Sequence, residues 1–122
     1  MAHMNRKILA GLFLVWVLTG CYYDVEEELY GSCNTGNVTY STTITNILVG
    51  NSCIGCHSGP SPSGNVSLQG YQNVKARAED GRLFGAISHM NGFAPMPQGG
   101  SRLTNCDISK VKAWIDAGAP DN

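Results

Sequence analysis

The stretch "CIGCH", Cys53 to His57, sets two thiols two residues apart and an imidazole directly after the second. Three kinds of chemistry draw on such residues. Dithiol exchange needs the C-x-x-C pair, but it belongs to a βαβ setting absent from this chain, and it has no use for the histidine. A structural zinc ion takes four ligands, commonly in closely spaced pairs. His57 could be a third ligand, yet the remaining cysteines of the domain, Cys33 and Cys106, lie far off and singly. Covalent haem attachment uses all three residues at once. The thiols add across the porphyrin vinyl groups as thioethers, and the histidine is carried beneath the iron as its proximal ligand. The motif therefore predicts one covalently bound haem c, on Cys53 and Cys56, with His57 on the iron.

The elements that must position these residues are short. "STTITNILVGNS" has Ile44, Ile47 and Leu48 at helical spacing, which predicts a helix running into Cys53. "GPSPSGNVSLQG" reads as loop from its Gly, Pro and Ser. "YQNVKARAEDGRLFGAISHM" can hold one or two short helices broken near Gly81, and Pro95 and Pro97 keep "NGFAPMPQGG" out of a helix. The clearest helix is the last. Thr104 and Asp107 form a capping pair, Ile108, Val111 and Ile115 share a face with Trp114 beside it, and Gly118 and Pro120 stop it. No segment alternates as a set of strands would, so the fold class is all-α, with short helices and long loops. Large apolar residues are few for a domain of this size, with 15 glycines and 5 prolines in the whole chain. Such a marginal core commonly recruits a staple or a cofactor, and a porphyrin would supply the missing apolar volume.

The N-terminus reads as an export signal. Met-Ala-His before Met4 looks like a cloning scar. Arg6 and Lys7 then precede an apolar run from Ile8 to Leu18, about half of the ~20 residues a spanning helix needs. "LTGC", Leu18 to Cys21, resembles the lipobox of bacterial lipoproteins, in which the signal is cut before the cysteine and its thiol is lipidated. An ordinary cleaved signal and an uncleaved anchor are the alternatives. The expected organisation is a scar and signal over 1–20, an acidic linker and N-terminal extension over 21–38, and a domain over 39–122. Asp24, Glu26, Glu27 and Glu28 come just behind Cys21 and are expected to solvate the linker; in some lipoproteins an acidic stretch here directs display on the cell surface. Eight Lys and Arg stand against nine Asp and Glu. No basic patch argues for nucleic acid.

From about Thr39 to Ala119 the chain resembles the small class I c-type cytochromes, and most closely the single-haem domains of bacterial lipoproteins. The resemblance rests on "NSCIGCH" after a short helix, a loop-rich middle, "PMPQGG", and a final helix ending "WIDAGAP". It implies a cytochrome c-like fold wrapped around one haem. The first and last helices would pack across each other beside the haem, through Ile108, Val111 and Trp114 or Ile115. The proline-flanked methionine of the family maps onto Met96 as the sixth, distal iron ligand. His89 is the rival for that position, and it would bind more strongly and lower the potential. Met90 is expected to pack. Tyr71, Gln98 and Arg102 are candidates to meet the haem propionates, or else plain surface residues. Cys33 and Cys106 lie outside the family pattern. In an oxidising compartment the two leftover cysteines are expected to pair, the alternative being two buried free thiols.

These readings imply an electron carrier rather than an enzyme. With both axial positions filled by protein, the iron changes oxidation state and binds no substrate. The implied partners are a redox donor and acceptor, plus a bacterial membrane reached through lipid at Cys21, on the periplasmic side or at the cell surface. A haem-based sensor with a displaceable sixth ligand is the alternative.

Overall fold

The computed structural model describes residues 32–122. The expected export signal, Cys21 and the acidic run behind it lie outside the described residues. Residues Cys33–Asn122 form one compact unit. All its regular elements are helical, and no strand occurs among the described residues. None of these helices is long and apolar enough to cross a membrane.

A π-helical turn, Tyr40–Ile44, leads into α1, Thr45–Gly50. The helix stops there rather than running into Cys53. The Asn51 side chain donates to the Ile47 carbonyl at 2.9 Å, which gives that terminal carbonyl a local partner. Ser52 takes a left-handed conformation with φ 60°. The chain therefore starts a fresh helical turn, α2, Cys53–Cys56. A single 3₁₀ turn, Ser63–Asn65, lies in the loop that follows.

Two helices come next, α3, Tyr71–Glu79, and α4, Arg82–Ile87. The expected break falls at Gly81, whose φ of 78° suits glycine. Asp80 assists by accepting a hydrogen bond from the Arg82 N–H at 2.9 Å.

The last helix, α5, Asn105–Asp116, starts where its capping pair places it. The Asp107 N–H donates to Thr104 Oγ1 at 3.1 Å. It ends on Gly118, φ 90°. The Gly118 N–H reaches the Ile115 carbonyl and the Ala119 N–H reaches Trp114, each at 2.9 Å. These two bonds complete a Schellman motif.

The core is a single cluster. The first helical segment contributes Ile44, Ile47 and Leu48, α3 gives Val74 and Ala78, and α4 gives Leu83 and Ile87. From α5 come Ile108, Val111 and Trp114, with Trp114 fully buried, and Leu68, Leu103 and Ala119 join from loops. Trp114 is the central residue of the α5 face and Ile115 sits at its half-buried edge, because the i, i+3 stripe from Ile108 runs through 111 and 114. The α5 helix packs against both the π turn and α4.

The chain end closes the domain. Tyr40 N–H donates to Asn122 Oδ1 and Ser41 N–H to the Asn122 carbonyl, both at 2.8 Å. Those are orphan donors of the first helical turn. Trp114 Nε1–H donates to the Pro120 carbonyl at 2.9 Å, and Tyr71 Oη–H to Ala119 at 2.7 Å. The Tyr40 ring lies 5.1 Å from Tyr71 and 5.9 Å from Trp114. Cys33 and Cys106 form a disulfide with Cα atoms 5.5 Å apart. It ties the start of the unit to the first turn of α5.

Candidate functional site

Cys53 and Cys56 open and close the one turn of α2, and their i, i+3 spacing puts both thiols on one side of it. They are not bonded to each other. Cys53 is half-buried and Cys56 exposed. Burial pushes the Cys53 thiol above its ordinary range, and the neighbouring Cys56 adds to the rise. A thiol-exchange nucleophile is tuned in the opposite direction, toward thiolate.

His57 follows as the C-cap of α2. Its N–H bonds back to the Cys53 carbonyl at 2.9 Å, and its own carbonyl accepts from the Leu68 N–H at 2.7 Å. The backbone of His57 is thus held from both sides. The ring is held as well: Nδ1 lies 2.9 Å from the Val66 carbonyl. A carbonyl only accepts, so Nδ1 carries a proton, and in the neutral ring Nε2 is the nitrogen that keeps its lone pair. That arrangement is the one an imidazole adopts as a metal ligand, with the other ring nitrogen anchored to backbone.

Met96 sits half-buried in the loop between α4 and α5. Its N–H donates to the Ala86 carbonyl at 3.0 Å, and its carbonyl accepts from His89 Nε2–H at 3.0 Å. The loop returns to α4 at its far end, where the Leu103 N–H meets the Ile87 carbonyl at 3.2 Å. Phe93 anchors the middle. Its ring lies so close to Gly85 that a Cβ there would collide with it.

His89, the expected rival of Met96, therefore has its Nε2 engaged on Met96's own carbonyl. Met90 is 46% exposed and lines, with Phe84, Phe93 and Ile115, an apolar cavity of about 280 Å³. None of Cys53, Cys56, His57 or Met96 lines that cavity. The Tyr71 proton is used on Ala119, Arg102 bonds Asn105 Oδ1, and Gln98 is exposed.

The donor set suits a covalently attached haem. Two unpaired thiols share a helical face, an imidazole presents Nε2, and a thioether sits in a pinned loop. Among the described residues no three His, Cys, Asp or Glu side chains gather to hold a metal ion. An iron ligated by one imidazole and one thioether would draw on only one of those residue types. Ser88 Oγ is buried without a hydrogen-bond partner, so a bound group reaching the end of α4 could supply its acceptor.

Sequence reasoning missed two contributors. The Val66 carbonyl is backbone and leaves no trace in residue type. The role of His89 depends on a loop that folds back across seven residues. No known protein family, curated protein or solved structure matches this chain.

Proposed function

We propose that the chain is a single-haem c-type cytochrome of class I that passes single electrons between redox proteins. The observation that carries this reading is the His57 ring. Its Nδ1–H is fixed on Val66, and its Nε2 is presented from the same helical turn that bears two unpaired thiols. When bound, haem c supplies an iron that alternates between ferric and ferrous.

The chain's own residues decide what that iron can do. Cys53 and Cys56 would hold the macrocycle by thioether bonds, and His57 and Met96 would ligate its iron. With two protein ligands the iron would be left to exchange electrons rather than bind a substrate, which makes the protein a carrier rather than an enzyme. Thioether sulfur, a weaker donor than imidazole, favours a raised potential. Cys56 is exposed, which puts the attached edge where a partner can approach. The described residues carry nearly balanced charge, so the partner contact is short-lived and weakly steered. Lipid at Cys21 tethers the carrier to a membrane.

The test is export of the chain in cells that attach haem, followed by mass spectrometry under denaturing conditions. One haem retained on the wild-type chain, and none on a Cys53→Ala/Cys56→Ala double variant, is the expected pair of results. A wild-type chain that exports and folds without covalent haem sinks the proposal.

A further inference from the structure

Resting on that reading, we propose that His89 is the positioning residue for the sixth ligand. It holds Met96 in place rather than competing with it for the iron. Met96 is gripped through both of its backbone polar groups, and both grips come from the end of α4. Its N–H donates to the Ala86 carbonyl and its carbonyl accepts from His89 Nε2–H, each at 3.0 Å. The two bonds fix the peptide planes on either side of the Met96 Cα. They therefore fix the direction in which the side chain leaves the backbone.

The local backbone is shaped for this. His89 has φ 54°, a left-handed conformation in which histidine is more frequent than most side chains. Its N–H bonds the Ala86 carbonyl and the Met90 N–H bonds Gly85, which ends α4 in a tight turn. That turn sends the imidazole toward the returning loop. Phe93, packed closely against Gly85, keeps the intervening residues near the helix. No acidic or basic side chain makes a hydrogen bond or ion pair with His89 among the described residues. Its anchor is the Met96 carbonyl.

The inference differs from a generic stabilising role in what it predicts for the iron. Without the imidazole donor, Met96 keeps one grip and its sulfur becomes displaceable while the rest of the fold stands. A carboxamide that can still donate should restore the grip, which an apolar residue of similar size cannot.

The experiment compares wild type, His89→Leu and His89→Gln as holoproteins, using the red-region methionine–iron band and the binding of added imidazole to the ferric form. We expect His89→Leu to bind imidazole about tenfold more tightly than wild type, the effect of losing one hydrogen bond, with a weakened band. His89→Gln should lie close to wild type. An unchanged band and imidazole affinity in His89→Leu overturns the inference while leaving Met96 ligation intact. A wild type with covalent haem but no band overturns Met96 ligation itself. If His89→Leu fails to fold, nitrogen NMR of the wild-type holoprotein decides. A protonated Nε2 and bare Nδ1 on His89 support the clamp, and the opposite tautomer, or an iron-shifted ring, refutes it.

Discussion

Cys53 and Cys56 belong to one motif but not to one environment. Cys53 is half-buried with its thiol pushed up by burial, whereas Cys56 faces solvent. In the haem-free chain at neutral pH, iodoacetamide should therefore label Cys56 several-fold faster than Cys53, as read by peptide mass spectrometry. Equal rates would show that burial does not slow the reaction of Cys53. The thiols, His57 and Met96 stood out as candidates in the sequence because haem attachment and thioether ligation demand particular residue types at particular spacings. Their supports were not. The Val66 carbonyl could belong to any residue, and His89 was read as a rival ligand because an imidazole near Met96 suggests coordination before it suggests a hydrogen bond to a carbonyl.

At the scale of elements, the punctuation of the chain was readable and the continuity was not. Gly81 and Thr104 mark a break and a start for local reasons, a left-handed φ and a side-chain cap. Thr104→Ala should cost about 1 kcal/mol in chemical denaturation by removing that cap. The stop between α1 and α2 depends on Asn51 and Ser52 acting together, and the apolar spacing across them gave no warning. The contact of Phe93 with Gly85 was equally silent, since it joins a helix to a loop. It has a clear consequence. Gly85→Ala would drive a methyl into the Phe93 ring and should destabilise the domain by about 1–3 kcal/mol. Combining it with Phe93→Leu should recover part of the loss. A Gly85→Ala protein as stable as wild type would mean that the ring moves away without cost.

At the scale of the unit Cys33–Asn122, closure is achieved by contacts between its first and last residues. The Cys33–Cys106 bridge spans 73 residues of sequence, and Asn122 caps the first helical turn with both its side chain and its carbonyl. Pairing of the two cysteines followed from compartment and arithmetic, but nothing in the last residue's identity announced a cap for a helix at the other end of the domain. Replacing Cys33 and Cys106 together by Ser should lower stability by about 2–4 kcal/mol in denaturant unfolding, with the visible spectrum of the holoprotein unchanged. A spectral change would mean that the bridge also shapes the surroundings of the iron.

In the proposed function, His57 and Met96 would together ligate the iron of one covalently held haem. The most direct measurement is the visible spectrum of the matured protein, oxidised and reduced, with a scan for the methionine–iron band and a carbon monoxide challenge of the ferrous form. A low-spin haem c that shows the band and ignores carbon monoxide is the predicted result, and Met96→Ala should abolish the band and admit carbon monoxide. A high-spin haem, or one that binds carbon monoxide readily in the wild-type protein, would contradict the account and favour a ligand-sensing role.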